Sequence, residues 1–114
     1  MVARYVPERG DIVWLNFSPI RGHEQGGKRP ALVISRNIYN AKTGLAVICP
    51  ITSRTKGYEF EVVLPNTSDI QGVVLSDHVR NLDWRARRAK FATRTSDAVV
   101  SHVAELISIL AQGT

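Results

Sequence analysis

Arg29 stands immediately before Pro30, at the entry to the apolar run Ala31-Leu32-Val33-Ile34-Ser35. Before it comes a segment, Pro19 to Lys28, crowded with side chains that hydrogen-bond or titrate: Arg21, His23, Glu24, Gln25 and Lys28. Proline biases the residue before it towards an extended backbone. The guanidinium is therefore expected at a sheet edge, where a rigid strand meets a loop. An arginine there suits a phosphate, because it stays charged and offers a planar fork of donors. Thr52 and Ser53 follow another apolar run, and their hydroxyls could donate to a phosphate oxygen.

The loop itself is long for a connection between two strands, where two to about five residues are usual. A loop of that length tends to persist when it has a role, and this one could close over a ligand. Charge points the same way. The chain carries 15 Lys and Arg against 10 Asp and Glu, a formal net charge of +5. Such a balance favours polyanionic partners. Arg21, Lys28, Arg29, Arg36, Lys42, Arg54 and Lys56 form one cluster, with Glu24 the acid among them. Arg85, Arg87, Arg88, Lys90 and Arg94 form a second that contains no acid. Together they predict a basic groove on a small domain.

The rest of the composition narrows the class. At 114 residues, one domain spanning 1–114 is expected. The single cysteine, Cys49, lies within Leu45-Ala46-Val47-Ile48-Cys49 and is read as buried and structural, with no thiol cluster for zinc. No apolar stretch is long enough to span a bilayer, and the first ten residues do not read as a secretory signal. A cytoplasmic protein is expected.

Apolar and β-branched runs, each stopped by Gly, Pro, Asn or Asp, predict strands at Asp11–Phe17, Ala31–Ser35, Leu45–Ile51, Phe60–Leu64, Gly72–Ser76 and Lys90–Thr93. Short punctuated strands argue for a small, strongly curved sheet or barrel. The period then changes. Val99, Val100, Val103, Leu106, Ile107 and Leu110 form one helical stripe, with Ser96 as N-cap and Gly113 at the exit. The expected architecture is mainly β, a compact barrel closed by a C-terminal helix from about Asp97 to Ala111. Trp14 is expected in the core. Trp84 reads as core, interface or a stacking platform for a base, and His102 as a surface or packing residue.

Several stretches together resemble the MazF/PemK (Kid) family of toxin endoribonucleases. They are Arg9-Gly10-Asp11-Ile12-Val13-Trp14, Gly22 to Ser35, Tyr39-Asn40, Cys49-Pro50-Ile51-Thr52, Lys56 to Val62, Gly72 to Arg80, and Asp83-Trp84-Arg85-Ala86-Arg87. The likeness covers nearly the whole chain, in order, and is strongest to the MazF branch. It implies an SH3-like barrel of the CcdB/PemK type, a homodimer, metal-independent cleavage of single-stranded RNA at short sequences without a cofactor, and neutralisation by a cognate MazE-like antitoxin. By the same resemblance Arg29, Thr52 and Glu24 are catalytic. His23 and Asp77 match a histidine and an aspartate that support catalysis in some relatives, although Leu75 stands where those relatives have an arginine. Lys28 replaces a histidine found in some members.

Cleavage of that kind needs the ribose 2′-OH deprotonated, the phosphorane stabilised and the 5′-oxygen protonated as it leaves. Arg29 suits the second task. Arginine, with an intrinsic pKa above about 12, is a poor proton donor. Glu24 and His23 are both candidates for the base. Lys28, Ser53, Arg54, Lys56, His78, Arg85 and Arg87 are expected to contact RNA. The rival readings are a CcdB-like toxin that acts by binding DNA gyrase and a non-catalytic RNA-binding barrel. The pairing of Arg29-Pro30 with Thr52 favours the nuclease.

Overall fold

The structure, a computed structural model, describes residues 4–17 and 27–113. His23 and Glu24, with most of the loop that carries them, lie outside the described residues. In chain order the elements are β1 (Asp11–Asn16), β2 (Lys28–Val33), α1 (Asn37–Thr43), β3 (Leu45–Thr52), β4 (Glu61–Val63), β5 (Val73–Leu75), a single 3-10 turn (Ser76–His78), β6 (Arg80–Asp83), β7 (Lys90–Arg94) and α2 (Asp97–Gln112). Every expected strand is present. Three elements, α1, the 3-10 turn and β6, are additional to those expected.

All strand pairings are antiparallel, in the order β4-β5-β3-β2-β1-β7. The longest strand, β3, makes the sheet bend. Its first half, Leu45 to Ile48, pairs with β6, and its end, Ile51 and Thr52, pairs with β5. No pairing among the described residues joins β4 to β7, so the sheet curls like a barrel without closing.

Alternation along the strands builds a core on each face of the sheet. Ile12, Leu32, Cys49, Ile51 and Val74 pack beneath Val99, Val100 and Val103 of α2. Val13, Leu15, Ala31, Val33, Ala46, Ile48, Leu82 and Trp84 form the second core. The Ser96 side chain accepts the Val99 N–H at 3.4 Å, as its cap role requires. The apolar stripe of α2 leaves the core early: Leu110, expected in it, is 43% exposed. Among the described residues no helix is long and apolar enough to cross a membrane.

The short helix α1 has no apolar face, since Asn40 is its one buried residue. Asn40 is held by polar contacts instead. Its Nδ2 donates to the Pro7 carbonyl at 2.8 Å and the Ser35 carbonyl at 3.1 Å, and its Oδ1 accepts from the Ser35 hydroxyl. The Asn40 carbonyl accepts from Trp84 Nε1 at 2.9 Å. Trp84 is thus a core residue with its polar end satisfied. Gly44, left-handed at φ 75°, ends the helix and turns the chain into β3.

Candidate active site

β2 begins at Lys28 rather than at Ala31, so Arg29 and Pro30 belong to the strand. Arg29 pairs with Leu15 and Pro30 with Trp14. On its other side β2 pairs with β3 through Ala31 and Pro50. That ladder ends at Ala31 and Pro50, two residues short of Arg29 on one strand and of Thr52 on the other. Residues two apart on a strand share a face, so the guanidinium and the hydroxyl start from the same side of the sheet. Both line one open cavity of about 670 Å³, with Ser53 and Arg54 beside them.

Thr52 is half-buried, whereas Arg29, Ser53 and Arg54 are exposed. The Thr52 oxygen accepts the Arg54 N–H at 3.1 Å, which fixes the turn after β3. Its hydroxyl proton remains available to donate. Among the described residues Arg94 pairs with Asp11 at 2.6 Å, and His78 Nε2 lies 3.9 Å from Asp77. Neither Arg29 nor Arg54 has a carboxylate partner among the described residues, so the cavity presents two positive forks and a hydroxyl, with the Asp69 carboxylate on its other wall. The forks and the hydroxyl are a set suited to phosphate.

The segment before β5 forms the other wall through Asp69, Ile70 and Gln71. In the sequence that segment reads only as a turn. Trp14 also differs from expectation: it is half-buried and lines the cavity, on the opposite face of β1 from the buried Val13 and Leu15. Gly72, just after Gln71, brings its backbone against that of Thr52. An isolated glycine at a strand entry is the one sequence sign of this close approach.

The remaining candidates lie around the cavity without lining it. Lys28 is exposed, next to Arg29 and paired with Asn16. Lys56 lies on an exposed turn gripped by Glu61, whose carboxylate accepts the N–H groups of Lys56 at 3.0 Å and Gly57 at 2.8 Å and the Thr55 hydroxyl at 2.9 Å. Burial works to raise the Glu61 carboxyl, but these hydrogen bonds outweigh it and hold the group below its ordinary value. Asp77 and His78 sit on the 3-10 turn after β5. Both Asp77 oxygens lie 2.8 Å from the Tyr58 hydroxyl, and that hydrogen bond raises the Tyr58 phenol above its usual range. Arg85 stacks over the Trp84 ring at 4.8 Å. Arg87 donates to the Asn16 carbonyl at 3.0 Å. Among the described residues no three of His, Cys, Asp and Glu come together as a metal-ligand set.

Residues 8–111 match the family model described as PemK-like, MazF-like toxin of type II toxin-antitoxin system. The chain is 51% identical over 89 residues to the endoribonuclease toxin MazF of Escherichia coli K12, covering 78% of this chain and 79% of that protein. It is 41% identical over 106 residues to the endoribonuclease toxin ChpB of the same organism, covering 88% and 90%. In three dimensions it resembles a chain from the MazE-MazF crystal structure (Form-II) of Deinococcus radiodurans. The TM-score is 0.92 at 51% identity, covering 97% of this chain and 100% of that one. A fold shared at this identity and a family match across nearly the full length mean that the chain belongs to the PemK-like, MazF-like toxins of type II toxin–antitoxin systems.

Proposed function

We propose that the chain is an endoribonuclease toxin that cuts single-stranded RNA at the Arg29–Thr52 cavity. The observation that carries this reading is a guanidinium and a hydroxyl that start from one face of the sheet and line one open cavity. The named activity of the relatives supports the same reaction.

The reaction begins when a base takes the ribose 2′-OH proton. The 2′-oxygen attacks phosphorus, a phosphorane forms, and the bond to the 5′-oxygen breaks as that oxygen takes a proton. The products are a 2′,3′-cyclic phosphate and a 5′-OH end, and DNA, which lacks the nucleophile, is not cut. No metal is required. Arg29 holds the phosphorane oxygens, and Thr52 adds a neutral donor. Glu24 and His23 are the candidates for the base, with Asp77 in support. Ser53 and Arg54 contact the same phosphate region. Lys28, Lys56, His78, Arg85 and Arg87 guide the strand by charge and hydrogen bonding.

A homodimer is the working form, and it acts on messenger RNA in the cytoplasm, stopping translation. A MazE-like antitoxin neutralises it by laying an acidic and apolar segment into the basic groove. Relatives solved as MazE-MazF complexes support that partner. The test is incubation of the purified chain with single-stranded RNA in EDTA. Fragments with cyclic-phosphate ends are expected. Intact RNA together with inhibition of DNA gyrase would replace this reading with that of a gyrase poison.

A further inference from the structure

A second cavity, of about 310 Å³, lies apart from the first and shares none of its lining residues. Arg4, Arg85 and Arg88 line it, together with Tyr5 and Trp84, and no acidic residue among the described residues does. None of the three arginines has a carboxylate partner among the described residues. The aromatic walls are fixed. Tyr5 donates its hydroxyl to Asp11, which is itself paired with Arg94, and its ring meets the exposed Phe91 edge-on at 6.0 Å. Trp84 is anchored through Nε1 and covered by the Arg85 guanidinium.

Arg88 adds a second kind of observation. Among the described residues it is the one non-glycine residue with positive φ, at 55°. Its turn is tightly held: the Arg88 N–H donates to the Arg85 carbonyl at 3.0 Å and the Ala89 N–H to the Trp84 carbonyl at 2.9 Å. A glycine would hold this backbone without strain. The chain instead carries a strained arginine at the rim of a cavity already lined by two others. Strain retained at such a place points to use of the side chain.

A chain of residues links the two cavities past the end of β1 and the start of β2. Lys28, next to Arg29, pairs with Asn16, and Asn16 exchanges two hydrogen bonds with Arg87, one to the backbone and one from the side chain. Arg88 follows directly. Basic residues therefore continue from the reacting phosphate to the second cavity. Planar cations beside the fixed, exposed Tyr5 ring match a single strand, whose phosphates take guanidinium forks and whose bases stack.

We propose that this cavity is an accessory RNA subsite, which grips a phosphate and an adjoining base of the substrate at a distance from the cleaved bond. It rests on the endoribonuclease reading. The test uses the full chain and two single-stranded oligoribonucleotides, one just spanning the cleaved bond and one long enough to reach both cavities. The variant is Arg4→Ala with Arg88→Gly, and the glycine relieves the strain rather than adding any. For the long substrate KM is expected to rise about tenfold at unchanged kcat, and its salt slope to fall by about 0.7 for each phosphate that the variant leaves unneutralised. The short substrate should be cut as by the wild type, and the melting temperature should not fall.

An unchanged KM and salt slope on the long substrate would overturn the subsite while leaving the endoribonuclease reading intact. Unchanged RNA kinetics with weakened binding of polyglutamate would overturn it in favour of an acidic protein segment. A wild-type chain that cuts neither substrate would remove the endoribonuclease reading, and the subsite with it.

Discussion

Gly72 lies so close to Thr52 that a Cβ placed on it would stand 2.3 Å from the Thr52 carbonyl oxygen and 3.0 Å from its carbonyl carbon. Its φ of +126° is also one that side-chain-bearing residues rarely adopt. The contact is backbone against backbone, so no flexible side chain can move aside. Gly72→Ala must shift the end of β3, and Thr52 with it. We expect a loss of about 1–3 kcal/mol in stability, from strain at such a site, and a lower kcat on RNA. Wild-type melting and wild-type single-turnover rates in this variant would show that the close approach is not needed.

Arg29 is exposed, and truncating it removes little packing. Arg29→Ala is expected to keep stability within about 0.5 kcal/mol. Its single-turnover cleavage should fall by about 10²–10³-fold, the usual cost of removing one donor that meets developing charge. Thr52→Ala should also slow cleavage, and Thr52→Ser should restore most of the rate because the hydroxyl is kept. Equal rates for Arg29→Ala and the wild type would sink the phosphate-clamp role.

Asn40 is fully buried and uses its side-chain amide on three partners, two carbonyls and one hydroxyl. Asn40→Ala leaves those groups without a partner in the interior. A loss of at least about 2 kcal/mol is expected, since each unsatisfied buried group costs about 1–3 kcal/mol. Chemical denaturation measures it, and a change within error would mean that water replaces the amide.

The Glu61 carboxyl is held below its ordinary value in the folded chain. A depressed acid contributes stability above its unfolded pKa and loses it as pH falls through the folded one. The turn at Thr55, Lys56 and Gly57 should therefore stay ordered at neutral pH and loosen only in acid, below the usual glutamate range. Amide exchange of Lys56 and Gly57, followed against pH, reads this directly. Glu61→Gln should make their exchange fast at neutral pH. Protection that is indifferent to both pH and this substitution would rule the clamp out.

Cys49 is fully buried, and burial, reinforced by the charge of Asp77, pushes its thiol up to about 12. The thiolate is the reactive form. Titration with a thiol reagent at neutral pH should find the native chain inert and the denatured chain reactive. Rapid labelling of the native protein would contradict its place in the core.

Much of this is legible in the chain itself. The strands, the helix α2 with its Ser96 cap, the buried Cys49, and Arg29 and Thr52 as phosphate-facing candidates all follow from residue type and period. Such signals are local: a side chain's burial repeats every second residue in a strand, or about every fourth in a helix. The helix α1 escapes such a reading because its one inward residue is Asn40, so no apolar stripe announces it. The strand β6 escapes it because Leu82 alone is buried there.

What local pattern could not supply was register. Sequence named Arg29 and Thr52, but only the pairing of β2 with β3 brought them to one face of the sheet and one cavity. Only the approach of Gly72 made the segment before β5 the far wall of their cavity. Arg88 likewise reads as one more basic residue until the turn around it fixes a strained backbone beside Arg4 and Arg85. The chain's own pattern thus determined which residues could do chemistry and which had to be buried. Their meeting depended on contacts between residues far apart in sequence, and those are set by packing of the whole sheet.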